Sequence, residues 1–141
     1  MEKMKRILVP LDGSACAENV LPAVETLAKS LKASIAVLRV AYAYTFPGVD
    51  PTDAEVKVVR EAEDYVKKIE DRLTSKGLAA DGHVRYGDAA GEILDHAAMK
   101  DIDLVAMSTH GRSGVGRWLL GSVTEKVLRH SPKPIFLVRC T

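Results

Sequence analysis

The stretch ILVPLDGS, residues Ile7 to Ser14, decides the fold. Its apolar run ends at Asp12-Gly13-Ser14, a turn signal. A strand with one wet face alternates apolar and polar residues, whereas a strand covered on both faces reads as a continuous apolar run. Ile7 to Leu11 is of the second kind, so it predicts a strand inside a parallel sheet, with helices on either side.

Reading outward, Leu21, Val24, Leu27, Ala28 and Leu31 recur at helical spacing, and Pro22 either lies in the first turn of that helix or kinks it, the kink being the favoured reading. Ser34 to Val40 is a second buried strand, and Ala41 to Pro51 is an irregular loop. Val56, Val59, Ala62, Val66, Ile69 and Leu73 predict an amphipathic helix over Thr52 to Lys76, closed by Gly77. Gly82 to Tyr86 alternates and reads as an outer strand, and Asp88 caps a helix over Ala89 to Met99. Asp103 to Met107 is a fourth buried strand. A helix from Leu119 or Ser122 to Arg129 and a strand from Pro134 to Arg139 complete the pattern. Strict alternation of strands and helices predicts an α/β fold. It is a Rossmann-like, doubly wound, five-stranded parallel sheet in the order 3-2-1-4-5, formed by one domain over residues 1–141.

Composition narrows the function. A net charge of +1 with dispersed basic residues argues against a nucleic-acid-binding face. No stretch approaches the ~20 apolar residues of a membrane span. Cys16 and Cys140 form no metal or CxxC spacing and read as two lone thiols in a reducing, intracellular setting. The four histidines make no ligand pair, so they read as surface or structural groups and no metal site is expected. Tyr42, Tyr44, Phe46 and Trp118 read as packing groups or loop anchors.

In a doubly wound sheet, ligands bind beyond the carboxyl ends of the strands where the winding reverses. Here that point lies between strands 1 and 4, next to Pro10, Asp12, Met107 and Ser108. The segment that follows, STHGRSGVGRWLLGSVTE from Ser108 to Glu125, holds four glycines and two arginines. Glycines admit close approach of the backbone to an anion, a helix start presents free amides, and Arg112 and Arg117 add charge-assisted bonds. These features suit a phosphate. They equally suit a connection in which Ser122-Val-Thr-Glu125 merely forms a capping box. Asp12 fits either a ribose contact or an Asx turn. A Walker A loop is excluded because no lysine follows Gly121, and GxGxxG fails because Leu119 stands at its third glycine.

Three stretches carry a resemblance to the universal stress protein family: Ile7 to Ser14, Met107 to Gly114, and Leu120 to Val127 with the closing Pro132 to Val138. The resemblance implies a cytoplasmic, ATP-binding stress-response protein acting through an unidentified protein partner, with Mg or Mn accompanying the nucleotide. By motif, the family's nucleotide contacts fall on Pro10, Asp12, Val40, Met107, Ser108, Gly111, Gly121, Ser122 and Val123. The family pattern of glycine, two residues, glycine, nine residues, glycine and serine or threonine is met at Gly111, Gly121 and Ser122, but Ser108 replaces the first glycine. That departure keeps a second reading open, an interaction module that binds AMP, another small anion or no nucleotide. The family also implies a homodimer through strand 5. The apolar run Pro134 to Val138, at a sheet edge, supplies an independent reason. No residue is assigned a catalytic role, since the sequence shows no activated nucleophile, and hydrolysis is at most slow.

Overall fold

The computed structural model describes residues 4–111 and 120–140. Its elements are β1 (Arg6–Pro10), α1 (Ala15–Glu18), α2 (Leu21–Leu31), β2 (Ser34–Ala41), α3 (Thr52–Thr74), β3 (Ala80–Tyr86), α4 (Ala89–Ala97), β4 (Leu104–Ser108), α5 (Ser122–His130) and β5 (Ile135–Val138). The strands form one sheet in the order β3-β2-β1-β4-β5, as the sequence predicts. Every pairing is parallel, with Ile7 beside both Ile35 and Leu104.

Alternation along β1 divides the core into two layers. Ile7 and Val9 pack with Leu21 and Val24 of α2 and with Val66, Ile69 and Leu73 of α3. Leu8 points the other way, against Ile93 and Ala97 of α4 and Val127 of α5. Ile7, Leu8, Ile35 and Leu38 are fully buried. Each contributes roughly 1.5–3 kcal/mol of apolar burial, which is why the middle of β1, from Ile7 to Val9, is apolar on both faces. At the amino ends of the strands, Arg6 on β1 donates to both Asp81 oxygens on β3 at 2.8 and 2.7 Å and pairs with Asp101 at 3.2 Å. The bond to Arg6 holds the Asp81 carboxyl below its ordinary range. His83 Nε2 also contacts Asp81 Oδ2.

The structure departs from the sequence reading at three places. Pro22 does not kink a helix: it lies in the first turn of α2, separate from the short α1. A proline there costs nothing, because first-turn amides have no helical partner. The capping box at Ser122 does not form. Gly121 is the N-cap of α5, with φ −61° and ψ 150°, and among the described residues no side chain caps the first turn. Nor are the two cysteines lone thiols, since Cys16 and Cys140 are joined in a disulfide with Cα atoms 5.3 Å apart. The cause is topological. α1, which follows β1, packs against β4, and β5 pairs with β4, so the two cysteines are brought together around that strand. Gly77 ends α3 as expected, at φ 83°, a conformation that favours glycine. No described helix is long and apolar enough to cross a membrane.

Candidate functional site

β1 and β4 are neighbours while their chain connections run to opposite sides, so a crevice opens beyond their carboxyl ends. A cavity of about 300 Å³ occupies it. β1 and its exit supply Pro10 and Asp12, β2 supplies Val40, and β4 and its exit supply Met107, Ser108 and Gly111. Gly121, Ser122 and Val123 close it at the start of α5. These positions all come together, whereas Arg112 lies outside the described residues.

Asp12 shows how the crevice is held. Its Oδ1 accepts from the Ser14 amide at 2.9 Å and the Ser14 hydroxyl at 2.6 Å, and Ser14 Oγ in turn accepts from the Ala17 amide at 3.1 Å. The Asx turn is therefore present, and it presents the Asp12 side chain to the cavity. Its other oxygen, Oδ2, reaches across to β4: a Cβ built on Gly111 would land on it. Gly111 is not at positive φ. Closeness to Asp12, rather than an unusual backbone, favours glycine there, because any larger residue requires the Asp12 carboxylate to move.

The opposite wall hangs on Thr109. Its carbonyl accepts from the Gly121 amide at 2.9 Å, and its amide donates to the Val138 carbonyl at 2.9 Å. One residue earlier, the buried Thr124 hydroxyl donates to the Ser108 carbonyl at 3.0 Å. Both bonds pin the start of α5 against the end of β4. The N-cap Gly121 has no side chain to cap α5, so among the described residues no side-chain cap meets its first-turn amides at the cavity edge. The Ser108 hydroxyl is also buried, and it has no hydrogen-bond partner among the described residues. Pro10, Leu38, Val40, Ile93 and Met107 make the remainder apolar. The cavity thus offers an apolar slot at one end, and a buried hydroxyl with helix-start amides at the other. That chemistry suits a flat ring attached to a polar or anionic group.

Sequence reasoning missed Leu11, Ala17, Leu38, Ala89, Ile93, His110 and Thr124 in the lining. Leu38 was within reach, since it lies two residues before Val40 and so shares its face. Ala89 and Ile93 carried no local signal, because the packing of α4 against the sheet brings them there. Tyr44 and Phe46, read as packing groups or loop anchors, are 91% and 79% exposed, with the Tyr44 ring edge-on to Tyr42 at 4.9 Å between centroids. Tyr42 does anchor its loop, stacked on Tyr86 with ring centroids 5.9 Å apart. Trp118 lies outside the described residues.

A second cavity, of about 440 Å³, lies on the α3 side, lined by Gly13, Arg39, Glu61 and Tyr65 among others. Arg39 stands over the Tyr65 ring, 5.5 Å from its centroid. Burial, followed by the hydrogen bond to Glu18, holds the Tyr65 phenol well above its ordinary value. Among the described residues no cluster of His, Cys, Asp and Glu could hold a metal.

Comparison with known proteins supplies the context. The sequence profile of the universal stress protein family matches residues 3–139. Universal stress protein YxiE of Bacillus subtilis is 30% identical over 149 aligned positions, covering 95% of this chain and 98% of that one. The solved structure of protein MJ0577, from Methanocaldococcus jannaschii, superposes with a TM-score of 0.86 at 30% identity, covering 99% of each chain. More distant structures show likeness of fold and carry adenine nucleotides. One is a universal stress protein in complex with cAMP (21% identity, TM-score 0.66, covering 99% and 100%). Another is an Arabidopsis thaliana protein with AMP bound (13%, 0.72, covering 97% and 92%). A third is an Archaeoglobus fulgidus protein with dAMP (18%, 0.70, covering 97% and 98%).

Proposed function

The chain belongs to the universal stress protein family, and on that footing we propose that the crevice beyond β1 and β4 binds an adenine nucleotide and that its occupancy governs which protein partner is engaged under stress. The ligand is ATP with Mg or Mn. The observation that carries the reading is one cavity that joins an apolar slot to a buried hydroxyl and the start of α5. Family members that hold AMP, cAMP and dAMP support the adenine class.

Pro10, Val40 and Met107 sandwich the base. Asp12 reaches the ribose, and Gly111 lets the ligand approach the main chain. The Ser122 and Val123 amides, with Arg112, take the phosphates, because a helix start carries partial positive charge and free donors. This arrangement holds a nucleotide without cleaving it efficiently, since phosphoryl transfer needs an activated nucleophile and fixed charge at the terminal phosphate. The protein works in the cytoplasm as a dimer in which β5 pairs with its mate, covering Leu137 and the open edge of the sheet. Calorimetric titration with ATP-Mg and with AMP tests the proposal, and absence of heat at millimolar nucleotide, with the protein folded, would overturn it.

Ser108 favours a second reading, in which the site takes a nucleoside monophosphate or another small anion and excludes the triphosphate. Its side chain stands where the family's nucleotide-binding pattern has glycine. Ser108→Gly then raises affinity for ATP relative to AMP. Equal ratios in the two proteins would remove the support for this reading.

A further inference from the structure

Cys16 and Cys140 are 124 positions apart in the chain and joined across 5.3 Å between Cα atoms. Cys16 lies in α1, directly beyond the Asp12–Ser14 turn, and Cys140 follows β5. Both residues are partly exposed. Asn19 Nδ2 donates to Cys140 Sγ at 3.6 Å. A donor of this kind stabilises a thiolate, which makes Cys140 the better leaving group in exchange.

Cys140 is also wired to the cleft wall. Its amide donates to Thr109 Oγ1 at 3.0 Å, and that hydroxyl lies 2.9 Å from His110 Nδ1. Thr109 is bonded as well to Val138 and to Gly121, the N-cap of α5. His110 and Gly121 both line the cavity. The bridge therefore clamps the α1 side of the crevice to its β4–α5 side through one residue, Thr109.

We infer that Cys16 and Cys140 are a reversible pair, exchanging with low-molecular-weight thiols and disulfides, whose closed state holds the Thr109–His110 wall in place. To open it, a thiolate attacks Cys16 Sγ, the S–S bond breaks, and its electron pair leaves on Cys140 Sγ. A second thiolate attacks the small-molecule sulfur of the mixed disulfide, forming a low-molecular-weight disulfide and releasing Cys16. The two protein sulfurs take up the two protons that the small thiols lost. Closing is the reverse, with the low-molecular-weight disulfide as oxidant. The effect on ligand binding rests on the nucleotide reading of the cleft, whereas the exchange chemistry does not.

The full chain is equilibrated with mixtures of reduced and oxidised glutathione. Alkylation and intact mass read the pair, and calorimetry with AMP and ATP-Mg reads the cleft. Amide hydrogen exchange at Thr109 and Gly121 reads the wall without any ligand. The closed form is expected to bind nucleotide about fivefold more tightly, a modest coupling between sites, and to protect both amides better. Cys140→Ser should match the reduced wild type in either buffer. Full alkylation of both cysteines in oxidising buffer overturns the pair. A pair that opens and closes with unchanged affinity and unchanged protection overturns the link to the wall. If neither form binds nucleotide, the reading of the cleft fails separately and amide protection alone decides: loss on reduction supports the link, and constancy overturns it.

Discussion

Replacing Gly111 by alanine tests the geometry of the cleft most directly. The new methyl group would occupy the position of Asp12 Oδ2. Asp12 cannot swing away without cost, because Oδ1 accepts two bonds from Ser14, at 2.9 and 2.6 Å. A hydrogen bond to a charged acceptor is worth about 1.5–3 kcal/mol when no substitute exists. Asp12 is half-buried, so water replaces part of that loss, and the net cost comes to about 1–2 kcal/mol. For a domain of this size the melting temperature falls by about 3–7 °C. Since Gly111 is not at positive φ, no backbone strain adds to this. The decisive comparison is a double-mutant cycle by thermal denaturation. In an Asp12→Ala background the obstacle is gone, so Gly111→Ala costs about 1 kcal/mol less than in the wild type. Strictly additive costs would show that the glycine is required for some other reason. In parallel calorimetry, Gly111→Ala should weaken nucleotide binding about tenfold, equivalent to ~1.4 kcal/mol.

Thr124→Val keeps the shape of the side chain but leaves the buried Ser108 carbonyl without the hydroxyl that donates to it at 3.0 Å, so it should destabilise by about 1–3 kcal/mol. Urea unfolding reads the loss, and Thr124→Ser should recover most of it. His96 is buried, which with the nearby Arg85 charge lowers its pKa below the ordinary value of 6.5. The unfolded chain therefore binds the proton more readily. Stability is greatest above pH 6.5 and falls as pH drops from there towards the folded-state value. His96→Gln can still accept from Arg85 Nε, which bonds His96 Nδ1 at 2.9 Å. Denaturant melts of this variant should show a flatter pH profile over that window, and an unchanged slope would assign the dependence to other groups.

What the sequence determined by itself was the order of the elements and the place where a ligand would sit. The unbroken apolar runs at Ile7 and Leu104 imply strands covered on both faces, and right-handed crossovers then leave few strand orders. Once the order is known, the carboxyl ends of β1 and β4 must share a crevice, so Pro10, Asp12, Met107 and Ser108 are brought together by topology. These inferences rest on periodicity and turn chemistry, which act over a few residues and are legible along one dimension. Tertiary structure alone decided the rest. Asp12 and Gly111 touch, Ile93 walls the cavity, Thr109 joins β5 to α5, and Cys16 meets Cys140. Each of these depends on how distant segments lie side by side. That is set by the packing of whole helices on a twisted sheet, and no local pattern of residues encodes a distance across 124 positions.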